Sequence, residues 1–412
     1  MASRELQLHS RSETAQPPEP ETSRHESNIA KKKKKNRTKK KSYLPRMGCF
    51  RSEHHLNGGP SSVAESGDSG DHRFPTHLVV MVNGIIGSAG NWKYAAKQFR
   101  KRYPQDILVH CSACNSSMLT FDGVDTMGER LAEEVQSITR HNPRLQKISF
   151  IGHSLGGLVA RYAIGRLYEH NLIRQPSEGN GDCTNDGAGT PSLDGKSKGK
   201  IAGLEPMNFV TFATPHLGSR GHKQVPIFCG IHIMEKAASH MSWILSRTGK
   251  HLFLTDGDNK SPPLLLQMVN DCGDLPFISA LQSFRRRVAY ANTCFDHLVG
   301  GCTSSIRRKN ELPKCKHLAG NGKYPHIVNV EEPKTFSPGQ EVLSEAVKGC
   351  KTIDMEEAMI RGLTKLSWER IDVCFRRSKQ RFLAHSTIQV KTYCINSDGA
   401  DVILHVIDNF LL

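Results

Sequence analysis

One serine is central to the residues that could do chemistry. Ser154 lies in the sequence Gly-His-Ser-Leu-Gly, between Gly152 and Gly156, after the apolar run Ile148–Ile151 and before a helix-type stretch. A serine at a sharp strand–helix turn sits in strained backbone, and side chains two residues on either side would clash, so glycine fits there. The backbone amides at the N-terminus of the following helix would point toward the serine hydroxyl. The pattern predicts a nucleophilic serine with the amide of Leu155 as an oxyanion donor.

A loop upstream of the serine is the candidate for a second oxyanion donor. The segment Asn83–Ser88 follows an apolar, β-branched strand at His77–Val82. A glycine-hinged loop after an early strand can present such an amide, and the predicted donor is the backbone N–H of Ile85. The alternatives are a plain strand–helix turn in this loop and a glycine-rich turn without chemistry at Ser154.

An acid and a histidine complete the set that a serine nucleophile needs. Asp296 comes just after a late strand, Arg287–Asn292, where an orienting carboxylate is expected, although a lone aspartate there is more often a turn residue. His385 lies in the loop after the last predicted strand, Trp368–Phe375. The order serine, acid, histidine is one of those in which catalytic triads occur. We therefore expect Ser154 as nucleophile, Asp296 as acid and His385 as base.

Two other histidines compete with His385. His216 lies in the loop Ala213–Gly218 after the strand Met207–Phe212, at the edge of the sheet where ligands bind. Its place before the acid in the chain favours a wall or loop-shaping role. His405 lies in a helix, where a histidine is usually structural. Chain order therefore favours His385.

Strand and helix patterns alternate along the chain, which predicts an α/β fold with a mostly parallel central sheet and helices on both faces. The remaining predicted strand is Ile107–Ser112. The predicted helices are Trp92–Arg102, one from a cap at Asp125 or Thr126 through Arg140, Leu155–Tyr168, Gln340–Lys348, Met355–Leu366 and Gly399–Phe410.

Three stretches interrupt this alternation. Residues 175–206 have hardly an apolar residue and predict a flexible surface insertion. Residues 225–271 contain apolar runs of about two helices, which fit either ordinary core or a lid over an apolar substrate channel. Residues 302–338 are basic and indicate a loop.

The first 73 residues are polar and poor in aliphatics, which predicts a disordered N-terminal segment before a folded domain at 74–412. Residues 1–46 hold 13 lysines and arginines against five glutamates, so half of the net charge of +16 lies there. The run Lys31–Lys41 is typical of a solvated tail, and a nuclear localisation patch or an anionic-membrane contact are the alternatives. The charge indicates a tail and not a nucleic-acid-binding fold.

Location is predicted from three further features. Met47-Gly48-Cys49 starts a match to the myristoylation signal, with Cys49 beside it for palmitoylation, and it would act only if Gly48 became N-terminal. No apolar run approaches the roughly 20 residues that span a bilayer, and no secretory signal is visible. Twelve cysteines without such a signal indicate a reducing compartment. We expect a cytoplasmic protein with a peripheral membrane contact as the alternative, and Cys111 and Cys114 as ordinary thiols.

Five segments together resemble the putative serine esterase (lipase-like) family of α/β-hydrolases, and most closely its plant members. They are Leu78–Gly87, Gly152–Gly157, Thr214–Gly218, Phe295–Gly300 and Ala384–Gln389, and the likeness covers about residues 74–412. The resemblance implies an α/β-hydrolase fold, and it carries the nucleophile onto Ser154, the acid onto Asp296 and the histidine onto His385. It also implies acyl esters of lipids as substrates.

The expected reaction is hydrolysis of a carboxylic ester through an acyl-enzyme, for which no metal or cofactor is required. Two alternatives stay open. An acyl-protein thioesterase would use the same chemistry on a lipidated protein. A catalytically idle hydrolase fold would act as a binding module, which an intact set of serine, acid and histidine disfavours.

Overall fold

The computed structural model describes residues 74–169, 199–219, 246–258, 261–313, 322–333 and 352–412. A seven-stranded sheet forms the centre of this part of the chain. Its strands are β1 (His77–Val82), β2 (Ile107–Cys111), β3 (Lys147–His153), β4 (Glu205–Phe212), β5 (Arg286–Asn292), β6 (Ile327–Glu331) and β7 (Glu369–Val373). The spatial order is β6-β7-β5-β4-β3-β1-β2, and only the β6–β7 pair is antiparallel.

The strand β1 shows why this sequence forms a sheet covered on both sides. All of its residues are buried. Leu78, Val80 and Val82 face one hydrophobic core, whereas Val79 and Met81 face the other. Aliphatic side chains on both faces of a strand are typical of parallel sheets that helices cover on both sides.

Helices pack on both faces of the sheet, as predicted. One core contains side chains of α2, α3, α6 and α8, and the other contains side chains of α1 and α11. The helices are α1 (Lys93–Arg102), α2 (Val124–His141), α3 (Leu155–Leu167), α4 (Ser246–Leu252), α5 (Leu264–Gln267), α6 (Phe277–Ser283), α7 (Gly301–Ser305), α8 (Thr352–Thr364), α9 (Ala384–Thr387), α10 (Tyr393–Asn396) and α11 (Ala400–Asp408).

The predicted strands are confirmed, β1 with unchanged bounds and the others to within two residues at each end. One strand of the seven-stranded sheet was missed. The segment Ile327–Glu331, within the stretch predicted as a loop, pairs with β7 at the edge of the sheet. Its residues are mostly half-buried. An edge strand needs no continuous apolar run, so it lacks the signal by which buried parallel strands are recognised.

The start of α2 corrects a predicted cap. The helix begins at Val124, directly after Gly123, whose φ of 103° is a backbone conformation that glycine adopts without strain. Asp125 already lies inside the helix, and its carboxylate accepts a hydrogen bond from the Thr126 amide at 2.8 Å. The helix therefore starts before the predicted cap residues because a glycine turn, and not a polar side chain, ends the preceding loop.

The predicted insertion 175–206 ends too late. Lys200–Ile201 pairs antiparallel with Tyr168–Glu169, and Glu205 already belongs to β4. Residues 170–198 lie outside the described residues.

Several other predictions also lie outside the described residues. They are the N-terminal segment with its basic run and its acylation motif, the helix Gln340–Lys348 and the first part of the lid candidate, 225–245. The domain boundary, the lid and the cytoplasmic or membrane location therefore stay predictions. Within the described ranges, the helices are too short or too polar to cross a membrane.

Candidate active site

The turn between β3 and α3 holds Ser154 in a conformation that L-residues rarely adopt. Its φ is 54° and its ψ is −128°. The amide of Ser154 donates a 2.8 Å hydrogen bond to the carbonyl of Phe212 on the neighbouring strand, which fixes the turn to the sheet. Strained backbone of this kind persists only where the surrounding structure holds it, and it is concentrated at functional sites.

The glycines around the serine are required by close backbone contacts. A Cβ on Gly156 would lie 2.4 Å from the carbonyl oxygen of Val82, and one on Gly152 would lie 2.6 Å from the Cα of Gly157. Both distances are far below van der Waals contact. The elbow therefore presses α3 against the ends of β1 and β3, as the spacing of glycines predicts.

Three side chains meet at this turn in a continuous hydrogen-bonded series. The Oγ of Ser154 lies 3.0 Å from Nε2 of His385, and Nδ1 of the same ring lies 3.0 Å from Oδ2 of Asp296. All three residues are buried. Asp296 follows β5, and His385 follows β7 in the short helix α9 instead of the expected loop. The structure thus brings together the three residues that chain order selects.

Asp296 is held as an ionised carboxylate. Its Oδ1 accepts hydrogen bonds from the amides of Leu298 and Val299 at 3.0 and 2.8 Å, and its Oδ2 accepts one from the side chain of Asn292 at 2.8 Å. Burial alone would raise the pKa of Asp296, but the His385 ring and these donors together hold the pKa below its usual value. Asp296 therefore keeps its negative charge at neutral pH.

The loop after β1 passes directly against the serine. A Cβ on Gly84 would lie 2.8 Å from the Cβ of Ser154. The side chain of Asn83 anchors this loop by donating a 2.9 Å hydrogen bond to the carbonyl of Asn115. Ile85, the predicted second donor, follows the close approach at Gly84. The loop is therefore near enough to bring a backbone amide to the nucleophile.

The amides of the two predicted oxyanion donors lack a backbone acceptor in the described ranges. Leu155 is the first residue of α3, where an amide has no intrahelical acceptor. Within the part of the chain that the structure describes, neither the Leu155 amide nor the Ile85 amide donates a hydrogen bond to another backbone carbonyl. These amides are the ones that a helix N-terminus and a strained loop would offer to a developing negative charge.

His153 contacts the site and was missed by the sequence reasoning. Its Nε2 lies 2.7 Å from the carbonyl oxygen of His385, and the two rings are 4.7 Å apart. Burial, followed by repulsion from His385, holds the pKa of His153 well below its usual value. The neutral ring therefore donates from Nε2 to that carbonyl. The only signal in the sequence is its position beside Ser154.

The two competing histidines are engaged elsewhere. The ring of His216 is fully buried, and its Nε2 lies 3.0 Å from the Oγ1 of Thr211. Nδ1 of His405 lies 2.7 Å from the hydroxyl of Tyr290. Both rings are buried, and His385 alone of these three reaches Ser154.

No cluster of three or more His, Cys, Asp or Glu side chains in the described ranges could hold a metal ion. The polar groups at Ser154 are its hydroxyl, the imidazoles of His385 and His153, the Asp296 carboxylate and backbone amides. Such a set can activate a hydroxyl and stabilise an oxyanion.

The parallel sheet, the helices on both faces and the strand–turn–helix at Ser154 define an α/β-hydrolase fold. The chain belongs to the family described as Putative serine esterase (DUF676), whose profile matches residues 72–306. The matched range includes Ser154 and Asp296. His385 lies beyond it, so its assignment depends on chain order and on the distances above.

Curated relatives include two yeast proteins. The chain is 28% identical to a putative lipase of Schizosaccharomyces pombe over 286 residues, which is 66% of this chain and 32% of that protein. It is 28% identical to the putative lipase ROG1 of Saccharomyces cerevisiae over 266 residues, which is 61% of this chain and 32% of that protein. The chain thus spans about a third of the length of these relatives. The expected likeness to plant members stays a prediction.

Among solved structures, the chain is similar to the lipase BlEst2 of Bacillus licheniformis in its propeptide form, with a TM-score of 0.31 and 15% identity over 55% of this chain and 38% of that chain. It is also similar to an extracellular α/β-hydrolase from a Paenibacillus species, with a TM-score of 0.31 and 11% identity over 76% of this chain and 98% of that chain.

Proposed function

We propose that this chain is a serine hydrolase that cleaves carboxylic acyl esters of lipids through Ser154, His385 and Asp296. The observation that supports the proposal most strongly is the hydrogen-bonded series from the Ser154 hydroxyl through both ring nitrogens of His385 to the Asp296 carboxylate, each step 3.0 Å long. A serine is a weak nucleophile by itself, and this arrangement supplies the base and the group that orients the base.

In the proposed first step, the Oγ of Ser154 attacks the ester carbonyl carbon while Nε2 of His385 accepts the hydroxyl proton. Asp296 stabilises the imidazolium that forms, because its carboxylate stays ionised beside Nδ1. The carbonyl oxygen becomes an oxyanion, and the amides of Leu155 and Ile85 are the donors proposed to stabilise it.

Collapse of this intermediate breaks the bond to the alcohol, which takes the proton from Nε2 of His385 and leaves. The acyl group is then carried as an ester on Ser154. Water attacks that ester with His385 again acting as base, and the acid product is released with the serine restored. Each step uses groups of the chain itself and water.

The lipid nature of the acyl group is proposed from the relatives, which are named putative lipases. A second acceptor in place of water would make the same acyl-enzyme a transferase. A thioester of a lipidated protein would react by the same steps.

The test is hydrolysis by the full chain of p-nitrophenyl esters from acetate to palmitate, with Ser154→Ala beside wild type. We expect Ser154→Ala to lower kcat/KM by about a thousandfold or more. Ser116→Ala is the matched control, because Ser116 is a half-buried serine of a neighbouring loop, and it should keep wild-type activity.

Rates that rise with acyl length would support a lipid substrate. Faster hydrolysis of a palmitoylated peptide than of every free ester would indicate that the substrate is a lipidated protein. A folded wild-type chain that hydrolyses no substrate faster than Ser154→Ala would contradict the proposal and favour an idle fold.

A further inference from the structure

Two cysteines lie side by side at the ends of the neighbouring strands β5 and β7. Cys374 directly follows β7, and Cys294 lies two residues after the end of β5. Their sulfur atoms are 3.5 Å apart. A 2.8 Å hydrogen bond from the Thr293 amide to the Val373 carbonyl keeps the two strand ends together. Both cysteines are half-buried and outside any disulfide, so a small oxidant can reach the pair.

The surroundings of this pair favour a reactive thiolate. The hydrogen bond with Cys294 outweighs the opposing effect of burial and, with a backbone hydrogen bond at Arg376, lowers the pKa of Cys374 to about 5. A thiolate is the nucleophilic form of cysteine. The thiols of Cys111, Cys114 and Cys302 differ, because burial raises the pKa of each of them.

The pair lies where the two segments of the candidate triad leave the sheet. Cys294 is separated from Asp296 only by Phe295, whose φ of 60° places it in the left-handed region. Cys374 starts the segment that leads to His385. The ring of Phe295 packs edge-on against Phe382 of that segment, with the centroids 5.7 Å apart. A movement of the two sulfur atoms would therefore displace the short segment from Cys294 to Asp296.

We propose that Cys294 and Cys374 form a peroxide-sensitive pair whose disulfide displaces Asp296 from His385. The disulfide itself is independent of the proposed function, whereas its effect on hydrolysis rests on that function. Sulfur atoms in a disulfide are about 2.05 Å apart, so the strand ends or the side chains must move to close the present gap. A shift of about 1 Å in a catalytic group can cost about a hundredfold in rate.

The oxidant is a peroxide. The Cys374 thiolate attacks one peroxide oxygen, the O–O bond breaks, and the product is a sulfenic acid with one water after protonation. The Cys294 sulfur then attacks the Cys374 sulfur, the S–O bond breaks, and hydroxide leaves with the Cys294 proton as a second water. Two thiols and one hydrogen peroxide thus give one disulfide and two waters. A dithiol reductant reverses the change.

The test treats the full, reduced chain with hydrogen peroxide, blocks remaining thiols, and combines peptide mass analysis with p-nitrophenyl ester hydrolysis. We expect a peptide pair joined through Cys294 and Cys374, lighter by two hydrogen atoms than the reduced peptides together. Hydrolysis should fall about ten- to a hundredfold and return with dithiothreitol.

Cys294→Ser and Cys374→Ser should keep the basal rate and resist peroxide. Cys394→Ser is the matched control, because Cys394 is an exposed thiol in the same C-terminal region, and it should stay sensitive. Alanine variants of the pair replace the serine variants should those not fold.

Absence of the cross-link in treated wild type would overturn the proposal, and so would protection by Cys394→Ser. A complete cross-link without loss of hydrolysis would overturn the coupling to Asp296. If the reduced wild type hydrolyses no ester, the proposed function is contradicted instead. Peptide mass analysis would still test whether the disulfide forms.

Discussion

The two sides of the candidate site are built by different means. The elbow around Ser154 is held by backbone contacts that leave no room for a side chain, as at Gly156 against β1. The opposite side, which carries Asp296 and His385, is held by hydrogen bonds between side chains and loops from separate parts of the chain. The first side depends on shape and the second on polar partners, charge and, we propose, redox state.

This difference predicts how each side fails. A change on the elbow side should damage the fold together with the activity. A change on the acid side should damage activity and leave the fold largely intact. Variants on each side test that division.

Gly156→Ala should have the largest effect on stability. Its Cβ would lie 2.4 Å from the Val82 carbonyl oxygen, which belongs to the central sheet and cannot yield cheaply. We expect a loss of about 3 kcal/mol or more in the free energy of unfolding, measured by urea denaturation. Gly322→Ala is the control, because no atom of the described residues lies within 4 Å of its added Cβ. Equal stability of the two variants would contradict the steric account of the elbow.

Asp296→Asn should have the largest effect on rate without a matching effect on stability. The amide keeps the shape of the carboxylate but loses the charge that stabilises the imidazolium, and a fall of about 10⁴ in kcat is expected. Asp274→Asn, at an exposed position, is the control. A kcat within tenfold of wild type would remove Asp296 from the mechanism, by the magnitude expected for such a change.

His153 precedes Ser154 on the elbow and hydrogen-bonds to His385 on the acid side, so its variants test how the two sides are connected. His153→Ala removes the donor to the His385 carbonyl, and we expect kcat to fall about ten- to a hundredfold with little change in KM. His153→Gln offers an amide donor and should recover part of the loss. If both variants lower kcat and stability equally, the ring acts only by filling space.

Mild acid should destabilise the fold through two buried histidines, one on β1 and one beside Ser154. Burial lowers the pKa of His77 on β1 to about 3, and burial also holds the pKa of His153 well below its usual value. Below about pH 6.5 the unfolded chain binds protons that these folded rings do not, so stability is full above that pH and falls as pH decreases. Each ring adds a slope of about 1.4 kcal/mol per pH unit until its folded pKa is reached.

His77→Asn tests this slope. Urea denaturation at pH 7, 6 and 5 should show a shallower loss of stability in the variant, by about 1.4 kcal/mol per pH unit. Asp296 affects stability only at lower pH. Because its pKa is lowered in the fold, its contribution to stability is present above about pH 4 and is lost as the pH falls through the folded pKa. An unchanged slope in His77→Asn would show that this ring takes up a proton in the fold.

The sequence predicts the elbow side well because its determinants are local. Five consecutive residues and their flanking strand and helix specify the turn at Ser154. The acid side was predicted from chain order and from the family resemblance, which select Asp296 and His385 but give none of their partners. The bond from His153 to the His385 carbonyl joins residues 232 positions apart, and no local pattern encodes it.

Other differences have the same origin. The edge strand β6 carries half-buried residues and lacks the apolar run by which the buried strands were recognised. The contact between Cys294 and Cys374 spans 80 positions and arises only because β7 inserts beside β5. Contacts of this kind depend on the order of strands in the sheet, which the alternation of helices and strands does not fix.

The most direct test of the central claim is labelling of the full chain with a fluorophosphonate in the presence of lipid micelles, followed by mass mapping of the adduct. Such reagents react with an activated serine, so we expect a single adduct, on Ser154. The label should disappear in Ser154→Ala and remain in Ser116→Ala. A folded wild-type chain that takes no label, or that carries it on another serine, would contradict the assignment of Ser154 as the nucleophile.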